Sequence, residues 1–525
     1  MKRVALTFMF LLLIISPLAS FSFPSDVTDP IETGERRVSS AESHSTEIVS
    51  FSQNKLLSID DALYDHQVEP TLAISEDGVL FAGWKNSETH NGGGARVSFS
   101  KSTDGGDSWT HPLHMPMFSF QIDFSQSAPG DDIVTRQSDP WLVWFNGSIY
   151  YAYLEFSVSG PYFSQITVAK SDDLGSSWNP VRASGGQHFA DKETMIVHDD
   201  GTVYVVYDDV DTSEGGNVTI RVSISNDGAA VFHDTTTIGN PDEGHVAPYI
   251  TQSNQGSLFV ASTWFTDSGG EILLSKSDDD GATFTEPQFV NNDGHHGWWI
   301  NADRRPSKIT IPVIRFDHND RLYLLWSDTF NSTERVFDVF LRYSDDYGVT
   351  WSNRILVNPI HDGHQWQPEM DIDSEGNLHI VYYDERGEYY RTYYRKASIS
   401  GEQREIVSLS DPIPIAEQWT SNNFTRPGDY FTVRVDNESI PHVVWTDGRD
   451  EKMDIYYAHG ILPEPTTTEQ PPIATTTTTT ATSTEDPNMT GPPAGEFENL
   501  LLGVGLGFSI VFVVAVVFLS SVKKR

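Results

Sequence analysis

Ser102-Thr103-Asp104-Gly105-Gly106-Asp107-Ser108-Trp109, Ser171-Asp172-Asp173-Leu174-Gly175-Ser176-Ser177-Trp178, Ser277-Asp278-Asp279-Asp280-Gly281-Ala282-Thr283-Phe284 and Ser344-Asp345-Asp346-Tyr347-Gly348-Val349-Thr350-Trp351 are four copies of one phrase, S-x-D-x-G-x-[S/T]-[W/F]. A fifth, worn copy runs Ser225-Asn226-Asp227-Gly228-Ala229-Ala230-Val231-Phe232. Each position has a physical reason. The carboxylate accepts hydrogen bonds from the backbone N–H groups of a tight turn, glycine takes a positive φ, and the hydroxyl braces the far side. The terminal aromatic is expected to pack inward between neighbouring sheets.

Each phrase closes a longer repeat, and self-similarity at this period signals a propeller or a solenoid. The repeat begins with a strand that often carries proline near its start. Such leading strands are expected near Glu69-Pro70, Asp139-Pro140, Lys192-Glu193, Ala247-Pro248, Lys308-Ile309, Gln367-Pro368 and Asp429-Tyr430, which makes seven. β-rich second strands follow at 79–84, 149–153, 203–207, 258–264, 322–326, 378–383 and 442–445. Alternating apolar residues between glycine-containing turns are what short antiparallel strands look like. The reading is an all-β chain, a β-propeller of four-stranded antiparallel blades, with seven blades favoured and six as the alternative. The last repeat reaches its third strand and runs out, so the segment from Thr46 to Phe51 is expected to supply the missing outer strand and hide the sheet edges. A folded region of this size needs no disulfides, and the chain has no cysteine.

The two ends indicate where the propeller works. Lys2 and Arg3 precede an apolar run that ends in small residues, so 1–22 reads as a secretory signal, followed by a flexible segment over 23–45. The propeller is expected to occupy 46–462. After it, 463–499 is a Thr/Pro-rich stalk, 500–522 is an uncharged stretch of membrane-spanning length, and Lys523, Lys524 and Arg525 form a basic cytoplasmic tail. The expected product is a single-pass type I cell-membrane protein with an extracellular propeller. Sequons at Asn146, Asn217, Asn331, Asn423, Asn437 and Asn488 suit an exported glycoprotein. A net charge of −40 argues against nucleic acid and against docking on anionic lipid.

In an up-and-down blade the first-to-second and third-to-fourth turns share one face, the back. The opposite, front face is built from residues before leading strands and after second strands. Those positions are polar and aromatic: His66, Gln67 and Glu69; Arg136 and Asp139; Asp191, Lys192 and Glu193; His245; Arg304 and Arg305; His364 and Trp366; Arg426, Asp429 and Tyr430; then Asp208, Asp209, Asp328, Asp384, Arg386, Asp447 and Arg449. Convergent polar groups beside aromatics in a concavity mark a site. The loop His295-His296-Gly297-Trp298-Trp299 adds two rings able to stack on a sugar.

With its Asp-box phrases and its closing repeat, Arg426-Pro427-Gly428-Asp429-Tyr430 through Trp445-Thr446-Asp447-Gly448-Arg449, the chain resembles the sialidase (neuraminidase) superfamily of Asp-box, or BNR-repeat, propellers. The resemblance implies an exo-α-sialidase type of glycosidase acting on extracellular glycans. It implies Tyr430 as nucleophile, Asp139 as acid/base and Glu193 or Glu69 as partner of the tyrosine. It implies Arg136, Arg305 and Arg426 on the substrate carboxylate; Trp298, Trp299, His364 and Trp366, from their place on the front face, are the further candidates for binding the sugar. A planar guanidinium pairs bidentately with a carboxylate, and a neutral phenol avoids its repulsion. One departure is plain: the first leading strand reads Val68-Glu69-Pro70-Thr71, where the family places Arg-Ile-Pro. The competing reading is a non-catalytic glycan- or protein-binding adhesion module, with Trp298, Trp299, Trp366 and Trp419 exposed and the arginines held in ion pairs. No cofactor is expected; the acidic turn Asp371-Ile372-Asp373-Ser374-Glu375 is a weak calcium candidate, short of a full loop pattern.

Overall fold

A computed structural model describes residues 47–463 apart from 59–63, 88–93, 118–134, 158–163, 185–187, 212–216, 240–243, 267–268, 291–310, 330–335, 401–404, 422–426 and 451. The signal, the N-terminal segment, the stalk and the spanning stretch lie outside the described residues. Among the described residues no helix is long and apolar enough to cross a membrane.

Seven antiparallel sheets follow one another along the chain. Their inner strands are His66–Ile74, Thr135–Phe145, Phe189–Val197, His245–Gln252, Val313–Phe316, His364–Ile372 and Thr432–Val435. The seven-blade reading holds, and six blades are excluded. Second strands such as Leu80–Ser87 and Val203–Asp211 are buried almost throughout, because each blade is covered on both faces by its neighbours. They run past the aromatics where the sequence suggested they stop. The extra residues are polar and brace the blade: the indole N–H donates to the side chain two residues on, in Trp84 to Asn86 (3.1 Å) and Trp445 to Asp447 (3.2 Å).

The ring closes as expected, with one addition. Ser50–Phe51 pairs with the third strand of blade 7, Asp454–Ile461, and Lys55–Leu56 extends the pairing along the same strand.

The Asp-boxes join third to fourth strands on the back face. Asp173 accepts from the backbone N–H of Ser177 (2.8 Å), from its hydroxyl (2.6 Å) and from Ser171 (2.8 Å). These bonds, that from the Ser177 hydroxyl foremost, hold its carboxyl down at about 2. Gly175 stands at φ +79° against the ring of Phe99 in the preceding blade, leaving no room for a Cβ. The box aromatic Trp178 meets the same ring edge-on at 5.0 Å. Each box is therefore a turn that keys its blade onto the one before.

A second repeated device was not expected. Five inner strands shift register near the front, between Val68 and Thr71, Ser138 and Trp141, Asp191 and Thr194, Val246 and Tyr249, and Trp366 and Glu369. In each, one residue takes a left-handed φ of 46° to 56°: Glu69, Asp139, Lys192, Ala247 and Gln367. Such bulges bend the strand and re-aim its side chains. Proline follows in four of the five, a residue without the N–H that a regular ladder would use.

Candidate active site

The bulges gather charge around the front end of the propeller axis. Lys192 Nζ lies 2.5 Å from Asp429 Oδ2, and Lys85 Nζ lies 2.5 Å from Glu69 Oε2 and 3.9 Å from Asp139 Oδ1. Ser138 donates to Asp139 Oδ1 at 2.6 Å. Burial pushes the Asp139 carboxyl up, but Lys85, Lys192 and the Ser138 hydroxyl outweigh it and hold the group below its ordinary value. Its neighbour Asp191 goes the other way, lifted to about 7 by burial and then by the Asp139 charge. Asp208 is also pushed well up, by burial first and by Asp191 second, although it accepts the bulge N–H of Ala247 at 3.1 Å.

Glu193 completes the group. The residue is 2% exposed, and neither carboxyl oxygen is hydrogen-bonded to another described residue. Burial, and after it the Asp139 charge, push this carboxyl far above its usual range. Asp139, Lys192, Glu193, Asp429 and Tyr430 share the wall of one axial cavity of about 30 Å³, room for roughly one or two waters. Two carboxyls on one cavity, one pushed below its ordinary range and the other above it, are the arrangement that general acid–base chemistry uses.

Tyr430 lies where the sequence put it, but its hydroxyl donates to the Pro140 carbonyl at 2.6 Å, and its ring meets Trp141 edge-on at 5.8 Å. Burial, then Glu69, Asp139 and Glu193, hold its proton tightly. A different tyrosine pairs with a glutamate. On the same cavity, Tyr249 Oη donates to Glu369 at 3.2 Å and receives Arg315 at 2.9 Å. Arg315 also bonds Glu369 at 3.1 Å, while Arg434 stands 3.7 Å from the same oxygen. Asp371, 3.7 Å from Arg315 Nε, supplies the second carboxylate that balances the two arginines.

Thus the structure brings Asp139, Glu193 and Tyr430 together. Arg136 is half-buried on the inner strand of blade 2, paired in register with Phe156. Arg305, Arg426, Trp298 and Trp299 lie outside the described residues. Trp366 is a correction: at 1% exposure it packs against Tyr383 with centroids 4.5 Å apart, inside an interblade core, so its ring offers no surface to a sugar. His364 accepts the backbone N–H of Phe337 at 3.3 Å through Nδ1. The Asp-x-Arg pairs close within their own blades, Asp384 to Arg386 and Asp447 to Arg449 both at 2.7 Å. Among the described residues no cluster of three side chains is arranged to hold a metal, and Asp373 of the acidic turn spends its oxygens on Asn377, Glu375 and His379. Lys85, Arg315, Glu369 and Tyr249 were missed. Only the recurring X-Pro at strand starts pointed towards the axis, and these four lie beyond that signal or were never ranked with it.

No protein-family model and no curated protein matches the chain. Solved structures do match. The endosialidase of phage phi92 superposes with a TM-score of 0.47 at 12% identity, over 82% of this chain and 71% of that one. Trypanosoma rangeli sialidase in complex with the inhibitor DANA gives 0.41 at 16%, over 63% of this chain and 55% of that one. An α-L-arabinofuranosidase of Fusarium graminearum gives 0.42 at 11%, over 78% and 97%. At such identities and scores these likenesses carry nothing beyond the seven-bladed architecture that the chain's own sheet order already gives.

Proposed function

We propose that the protein is a glycoside hydrolase whose general acid is Glu193 and whose ionised partner is Asp139. The observation that carries this reading is the Glu193 carboxyl, buried on the wall of the axial cavity and hydrogen-bonded to no other described residue. A buried carboxyl without a partner costs stability, and a purely structural role would have paired it. Protonated Glu193 gives its proton to the glycosidic oxygen as the bond to the anomeric carbon breaks. Asp139 takes a proton from the water whose oxygen bonds that carbon, and the cavity has room for such a water. An exo-sialidase route would run through Tyr430 as nucleophile; its hydroxyl is given to the Pro140 carbonyl and its proton held by nearby carboxylates. Export by 1–22 and anchoring by 500–522 belong to the same reading and put the site on extracellular glycans. Protease treatment of intact cells should then release the propeller.

The test is turnover on a panel of fluorogenic glycosides that includes an α-sialoside and an α-L-arabinofuranoside. Glu193→Gln should lower kcat by about 10²–10⁴-fold, the usual worth of a general acid. Tyr430→Phe should cost less than about tenfold, since it removes one hydrogen bond to a carbonyl. Loss of all turnover in Tyr430→Phe would restore the tyrosine mechanism. Absence of turnover on every glycoside would leave a binding module.

A further inference from the structure

Blade 6 is built unlike its neighbours. It carries no Asp-box, and its third strand, Tyr389–Ser400, pairs with three outer pieces, Glu405–Leu409, Ile413–Pro414 and Thr420–Ser421. The chain between those pieces brings Pro412 and Pro414 beside the rings of Tyr382 and Tyr393, which stack at 6.2 Å and 19°. With Asp384 and Arg386 at one end, these side chains border a groove of about 340 Å³, large enough for a small ligand and separate from the axial cavity.

Its chemistry is specific. Tyr382 is 2% exposed and lines the groove. Arg386 gives Nη2 (2.7 Å) and Nε (3.3 Å) to the two oxygens of Asp384, so this end of the groove is charge-balanced, and the guanidinium's remaining N–H groups are its donors. An anionic ligand would find the guanidinium already neutralised. A neutral polyhydroxylated ring has what the groove lacks: a C–H face for the Tyr393 ring and the prolines, and hydroxyls for Tyr382 and Arg386.

We infer that this groove binds one neutral pyranose residue, at a site independent of the axis. It holds a glycan whether or not the axial site cleaves it.

The full chain, in a detergent without a sugar headgroup, is titrated calorimetrically with methyl glycosides of glucose, galactose, mannose and N-acetylglucosamine, with the methyl glycoside of sialic acid, and with decaproline. At least one neutral glycoside should bind, and the sialoside and decaproline should not. Tyr382→Phe keeps the ring and the fold and should weaken binding about five- to tenfold, the loss expected for one hydrogen bond. Tyr393→Ala should abolish it, and Glu193→Gln should leave it unchanged. The inference is overturned if no neutral glycoside binds, if decaproline binds in its place, or if Glu193→Gln removes binding while Tyr382→Phe does not.

Discussion

Asp139 and Glu193 share one cavity wall and titrate in opposite directions, and that divergence governs how pH should act. If Glu193 must be protonated and Asp139 ionised, kcat/KM falls on the high-pH side only above the ordinary carboxylate range, where the raised carboxyl loses its proton. At the acid end it falls only below the ordinary carboxylate range, where Lys85 and Lys192 no longer keep Asp139 ionised. A plateau that extends above the ordinary carboxylate range is the expected profile; activity lost as pH rises through that range would contradict the assignment. Stability carries a separate signature from Asp191, lifted from 3.8 to about 7 in the fold. Between those values the folded chain holds a proton that the unfolded chain has released. The contribution is therefore complete below about pH 4 and is lost as pH rises through about 7. Asp191→Asn, of the same shape and without charge, should flatten this slope and raise Tm at pH 8 by about 2–4 °C, read by calorimetry at pH 5 and pH 8. These carboxyls were legible because proline or its stand-in marks the start of each inner strand. Their division of labour was not, since it depends on Lys85, which reaches the axis from the second strand of blade 1.

The elements that hold the ring together are the Asp-boxes, and their glycines allow the interblade key to be measured. Gly175 and Gly147 have nearly the same φ, +79° and +82°. A Cβ on Gly147 would meet nothing within 4 Å, whereas on Gly175 it would collide with the Phe99 ring of the blade before. Gly147→Ala should cost about 1 kcal/mol for the left-handed backbone alone. Gly175→Ala should cost that and about 1–3 kcal/mol more for displacing a packed ring, as measured by urea unfolding. Equal losses would mean that the boxes are turns and nothing else. In this part of the molecule the sequence was read almost completely, because a turn that needs a carboxylate, a hydroxyl and a glycine at fixed offsets has few other spellings. The inner-strand bulges escaped that reading for the converse reason. Glu69, Asp139, Lys192, Ala247 and Gln367 share a conformation and no chemistry, so only the following proline betrays them, and blade 3 has Glu193 in its place.

At the scale of the whole molecule, a ring of blades stands or falls on its one seam. The seam was legible because the seventh repeat stops after three strands, leaving an edge that something must cover. Residues 47–58 cover it. Ser50–Phe51 and Lys55–Leu56 pair with Asp454–Ile461, and Ile48 and Leu57 are buried at 3% and 2%. The Ser58 hydroxyl donates to Asp454 at 2.9 Å and accepts the Ile455 N–H at 3.1 Å. Asn54 spans two blades, bonding the Ile415 carbonyl of blade 6 and accepting Arg449 of blade 7, both at 2.9 Å. Deleting 1–46 removes none of these contacts and should leave Tm within about a degree. Deleting 1–58 removes them all. Two buried aliphatic side chains alone are worth about 3–6 kcal/mol, so Tm should drop by roughly 10 °C. The bared edge of Asp454–Ile461 should also make the truncated protein associate, strand to strand, as its concentration rises. Light scattering and calorimetry on the two deletions decide the matter: if both melt alike and both stay monomeric, the seam is not what closes the ring.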